Sequence, residues 1–217
     1  YFVGPQLRRI AITGGTPVVI CAVEAPPFGA SWAPDDTILF GVRKGIMRVS
    51  ANGGSPELVV PVKEGELVSG PQLLPDGESV LFTVTTGTSA QPMWDTAQIV
   101  VQSLKTGERT IVWKGGSDGR YVSTGHLVYA AGDALFAVAF DPSRREVVGG
   151  PVSLVQGLAR PQNQAASDGT GNYAVSATGT LVYLTGARLG IGPAMARAAL
   201  VWVSREGREA PLPAPPR

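Results

Sequence analysis

The chain has 217 residues, of which 44% are hydrophobic and 16% charged, and its net charge is +1. That balance excludes intrinsic disorder, and the scattered basic residues offer no footprint for nucleic acid or an acidic membrane. A single cysteine, Cys21, and a single histidine, His126, exclude an internal disulfide, a cysteine cage and every two-histidine metal motif.

In chain order, residues 7–15 and 16–23 read as two outer strands of a unit, so residues 1–23 are expected to form half of a repeat. Four whole copies are expected over 24–209. Each opens on small or polar residues and a turn, then enters an apolar strand: 31–40, 74–82, 123–129 and 176–183. The closing aromatics Phe40, Phe82, Tyr129 and Tyr183 are spaced by 42, 47 and 54 residues. A second element follows each time, an alternating strand running into a polar turn, at 46–54, 99–107, 135–142 and 200–207. Glycine and asparagine in those turns tolerate positive φ, and β-branched and aromatic residues at alternate positions suit half-buried strands.

Helix signals are confined to 193–199, and residues 210–217 form a proline-rich tail. No apolar run approaches the ~20 residues that span a bilayer; the nearest, 189–203, is broken by Pro193 and Arg197. No leader is visible at the opening, and both ends read as cuts from something longer. Four strands per unit at a period of roughly 40–50 residues is the pattern of propeller blades. The expectation is an all-β propeller of four-stranded antiparallel blades, about four and a half in this chain. Its ring would be partial or completed by a homo-oligomer, because open sheet edges invite further pairing.

The segments beginning Trp32-Ala-Pro-Asp-Asp and Leu74-Pro-Asp-Gly-Glu, each closing on an apolar triplet, resemble the TolB-type, WD-like propeller repeat. Residues 125–129, 140–142, 179–183 and 201–209 are similar to the C-terminal propeller of bacterial serine/threonine protein kinases. The resemblance covers residues 7–209. It implies a sensor or interaction module, displayed on the periplasmic or extracellular side of its parent protein. No glycine-rich nucleotide loop, His-Arg-Asp or Asp-Phe-Gly is present, which excludes kinase chemistry by these residues.

Several constellations carry possible chemistry. Gly115-Gly-Ser-Asp-Gly119 matches a nucleophile elbow, with Ser117 as nucleophile and His126 as the one imidazole base. The flanking residues read as strands, though, and an elbow needs a helix after the serine. Residues 169–174 mimic a dinucleotide fingerprint but again lack the following helix, so they read as a loop. Asp95, Asp118, Asp141 and Asp168 fall in or near loops of successive units and are candidates to hold a hard cation such as Ca²⁺ at an axial funnel. The competing expectation is that Asp35, Asp76 and Asp141 cap their own turns. Trp94, with Met93 and Asp95 in the loop 87–96, is the candidate ligand contact on a rim that also carries the loop 160–172, while Trp32 and Trp202 are expected in the core between blades. The reading is a non-catalytic binding or sensing propeller whose partner is a protein or small molecule at the rim. The alternative is a metal-dependent esterase, lactonase or phosphotriesterase.

Overall fold

The computed structural model describes residues 1–24, 27–86, 94–160, 169–176, 178–186, 200–203 and 208–211, without the side chains of 200–203 and 209. Its described elements are strands, apart from one 3-10 turn at Trp94–Thr96. None of the described helices is long and apolar enough to cross a membrane. Met93, Asp168, the turn of helix expected at 193–199 and most of the proline-rich tail lie outside the described residues.

Among the described residues, nineteen strands form five antiparallel sheets in chain order. The first holds β1 (Phe2–Val3), β2 (Gln6–Arg9) and β3 (Val18–Ala22). β1 is an addition to the two strands expected there; Val3 pairs with Gln6 across a two-residue turn. The second sheet holds β4 (Ala30–Trp32), β5 (Thr37–Val42), β6 (Gly45–Ser50) and β7 (Glu57–Pro61). The third holds β8 (Glu66–Leu73), β9 (Ser79–Thr86), β10 (Gln98–Ser103) and β11 (Arg109–Lys114). The fourth holds β12 (Ser117–Val122), β13 (His126–Ala131), β14 (Ala134–Asp141) and β15 (Glu146–Gln156). The fifth holds β16 (Tyr173–Val175), β17 (Leu181–Leu184), β18 (Leu200–Val203) and β19 (Glu209–Pro211).

Side chains alternate across a strand, so a strand apolar at every position feeds two cores at once. β5 does this: Ile38, Phe40 and Val42 face the first sheet, while Leu39 joins Val68, Val80 and Phe82 of the third. β9 and β10 repeat the device, sending Leu81, Ile99 and Val101 towards Leu127, Tyr129 and Phe140 of the fourth sheet. β13 sends Val128 and Ala130 towards Tyr173 and Tyr183 of the fifth. Four cores therefore lie between five sheets, each core joining neighbours in sequence. Phe40 and Phe82 are almost fully buried, each contributing roughly 2–3 kcal/mol of burial free energy.

The first strands of the second, third and fourth sheets approach one another along one side of the stack. Two registers repeat along these innermost strands. At their far ends, Asp36, Gly77, Gly125 and Gly179 donate their backbone N–H to Ala33, Leu74, Val122 and Ser176 three residues earlier. All four have positive φ (62°, 68°, 81° and 85°), which is why three are glycine. Nearer the start, Gly29, Gly70 and Asp118 stand four residues before Ala33, Leu74 and Val122, again with positive φ (76°, 60° and 52°). A side chain at Gly29 would lie 2.9 Å from the Gly70 nitrogen. At this register the third strand carries a buried aspartate instead.

Candidate functional site: the inner ends of the strands

The turn ends of β4, β8, β12 and β16 converge on one cavity of about 500 Å³. Each inner strand supplies equivalent residues: Trp32 to Asp35, Gln72 to Pro75, Tyr121 to Ser123, and Val175 with Ser176. Gln72 fixes the wall by donating to the Tyr121 carbonyl at 2.9 Å and accepting from the Tyr121 N–H at 2.8 Å, joining β8 to β12. Trp32, expected in the core, is instead 53% exposed. It pairs with Ile38 on the face towards the first sheet, but sits at the end of its short strand. Its indole N–H donates to Asp36 Oδ1 at 3.1 Å, which fixes the ring, and the ring also lines a neighbouring cleft of about 360 Å³. An exposed, oriented indole beside an apolar hollow is a common basis for small-molecule binding.

A second polar assembly lies on the other face of β12. Asp118 is 1% exposed; its Oδ2 accepts the Gly171 N–H at 2.9 Å. Its Oδ1 accepts from Arg120 Nε at 3.2 Å and Nη2 at 3.1 Å. The Arg120 guanidinium lies 5.1 Å from the centre of the Tyr173 ring. Burial disfavours the Arg120 charge, but the Asp118 carboxylate outweighs this and raises its pKa further. Burial first, and then the charge of Asp118, push the Tyr173 phenol well up; its hydroxyl donates to the Asp118 carbonyl oxygen.

The residues singled out from sequence scatter among other duties. Ser117 is fully buried in β12: its hydroxyl donates to the Gly169 carbonyl at 2.6 Å and lies 2.6 Å from Arg160 Nη2. A strand follows it, as the flanking residues implied, not the helix an elbow requires. Ser117 pairs with Ala130, whereas His126, four residues earlier on β13, pairs with Val122, about 13 Å away. His126 Nδ1 instead meets the Thr124 hydroxyl at 3.2 Å. The two are not brought together.

Trp94 is also not a rim contact. It is 5% exposed, and a side chain at Gly169 would strike its indole, so the glycine gives the ring a flat seat. Asp95 accepts from Arg160 Nη1 and, at 3.3 Å, from the Gly132 N–H. Arg160, which sequence reading placed only at the start of a rim loop, thus ties four segments together, through Asp95, Ser117 and the Gly132 and Gly169 carbonyls. Asp141 caps its turn, accepting from the Ser143 and Arg144 N–H groups at 2.9 and 3.2 Å. Its hydrogen bonds, led by the Ser143 hydroxyl, hold its pKa below the ordinary carboxylate value. Asp35 and Asp76 cap their turns in the same way. Among the described residues, no three His, Cys, Asp or Glu side chains stand together as metal ligands.

No protein-family model matches the chain, and no curated protein matches it in sequence. Solved structures do. The calcium-binding protein regucalcin from Agrobacterium tumefaciens is similar at a TM-score of 0.59 and 13% identity, over 95% of this chain and 65% of that one. An oligogalacturonate lyase in complex with manganese is similar at 0.54 and 13%, over 90% of this chain and 52% of that one. The oligogalacturonate lyase of Vibrio parahaemolyticus is similar at 0.53 and 12%, over 94% and 56%. These neighbours are β-propeller-type proteins. The fold is of the β-propeller type. The propeller chain described here spans between about half and two thirds of the length of those structures, and at such identities the likeness concerns the fold.

Proposed function

We propose that this propeller is a ligand-binding module, a small molecule entering the cavity where the four inner strands end. The observation that carries the reading is the cavity itself: about 500 Å³, built from equivalent positions of four sheets and faced by the exposed Trp32 ring. Its volume is that of an ordinary small-molecule site, and its walls are mainly apolar, with Leu73, Leu74, Val122 and Val175 beside the Gln72 and Ser123 side chains. The five sheets are read as successive blades about this axis, with ring closure left to further chain or to a second copy.

A metal-dependent hydrolase is the competing reading. A calcium-binding protein and a manganese-bound lyase among the structural neighbours favour it. The placement of the donors weighs against it: Asp118 is taken by Arg120 and the Gly171 amide, Asp95 by Arg160, and Asp141 by its own turn.

The test is a thermal-shift screen of small aromatic and alicyclic compounds against the wild type and Trp32→Ala. Compounds that stabilise the wild type should lose at least tenfold in affinity with the variant, since the stacking face is gone. Hits that stabilise Trp32→Ala equally would place binding elsewhere. Divalent cations enter the same screen; a metal-dependent stabilisation accompanied by ester turnover would favour the hydrolase.

A further inference from the structure

The inner-strand register that holds glycine twice holds Asp118 the third time, and this exception leads to a second site. Gly29 and Gly70 adopt the left-handed backbone without penalty, whereas a residue with a side chain is strained there. Asp118 also withdraws a carboxylate almost entirely from water, which is costly unless the charge is paired. The carboxylate that meets both penalties binds the Gly171 N–H and holds the Arg120 guanidinium. Its Nε and Nη2 bind the carboxylate, and the Tyr173 ring lies against it. The Nη1 edge is not spent on Asp118, and 38% of the Arg120 side chain remains exposed. A guanidinium fixed on one edge and supported by an aromatic ring is pre-organised for a planar oxyanion on its other edge.

We propose that Arg120 is an oxyanion-binding group, taking the carboxylate or phosphate of a ligand between the fourth and fifth sheets, with Asp118 and Tyr173 as its positioning residues. The site is distinct from the cavity in front of Trp32. Arg120 and Tyr121 are adjacent on β12 and face opposite ways, Arg120 towards Tyr173 and Tyr121 towards Phe140 and Gln72. The inference goes beyond the cavity reading and stands or falls without it.

The experiment titrates the 217-residue protein with sodium acetate and, separately, with inorganic phosphate at constant ionic strength. Chloride is the control, and the Arg120 Nε–H resonance is followed by NMR. A saturable shift with a millimolar dissociation constant is expected for at least one oxyanion, and the stronger binder distinguishes carboxylate from phosphate as the ligand group. Arg120→Gln should abolish the saturable response seen at neighbouring backbone amides. Arg120→Lys keeps the charge but lacks the planar fork, and should weaken binding at least tenfold; it decides the matter if the Gln variant does not fold. A linear response equal to that of chloride, or saturation unchanged in Arg120→Lys, would overturn the proposal.

Discussion

Asp118 offers a substitution series whose order follows from geometry. In Asp118→Ala the Gly171 N–H loses its acceptor inside the protein, a loss of about 1–3 kcal/mol. Arg120 loses its charged partner as well, but with 38% of its side chain exposed water replaces much of that interaction, and about 1 kcal/mol is a fair figure. The left-handed strain remains, so the total destabilisation is about 3 kcal/mol. Asp118→Gly suffers the same two losses while removing a strain of roughly 1–2 kcal/mol. Against this stands about 0.5–1 kcal/mol of extra chain entropy in the unfolded state. The glycine variant should therefore be the milder by about 0.5–1 kcal/mol, which reverses the usual ranking of alanine above glycine. Equilibrium urea denaturation at a common slope measures both. If Asp118→Ala costs less than about 1 kcal/mol, or Asp118→Gly proves the worse, then neither the buried pairing nor the left-handed register has been read correctly.

Two further outcomes are expected. Glu66 accepts from Arg109 Nη1 at 2.8 and 3.0 Å and from the Lys63 N–H at 3.0 Å. Burial opposes its charge, yet these bonds and the charge of Arg109 outweigh it and lower its pKa. A depressed folded value means the stabilisation is present above the ordinary carboxylate pKa and is lost as pH falls through the folded one. Urea midpoints of the wild type should thus decline more steeply than those of Glu66→Gln below about pH 4.5, and parallel curves would refute the pairing. Cys21 is buried and its thiol pKa is pushed up by desolvation. A thiol reagent should leave it unlabelled in the native protein and label it promptly in denaturing urea; prompt native labelling would show that the core between the first two sheets opens readily.

The architecture was largely legible because its signals are local. The short apolar runs 79–86 and 126–131, and the turns built on Gly77, Gly125 and Gly179, are each read from a few neighbouring residues. The site was less legible because its contacts are not local. Arg160 sits in no motif, and its partners Ser117 and Asp95 lie 43 and 65 residues away. Trp94, in a loop that suggested a rim, is buried by a seat that Gly169 provides from 75 residues downstream. Trp32 was misplaced in the opposite sense: alternation puts it on a core-facing side, but the ring projects past the end of a three-residue strand. One signal was available and not used. Asp118 and Arg120 stand two apart as an opposite-charge pair where a turn runs into a strand, a spacing that lets the two side chains meet, as their hydrogen bonds show.

Because every core joins sheets consecutive along the chain, the molecule can be assembled progressively as it leaves the ribosome. The second sheet finds its partner surface already synthesised, and each later one docks upon its predecessor without awaiting distant sequence. Such modular growth tolerates insertions within hairpins and between sheets alike, so the lengthening spacing of the repeats, from 42 to 54 residues, which falls on the connections 87–97 within the third sheet and 157–172 between the fourth and fifth, leaves the order of addition unchanged.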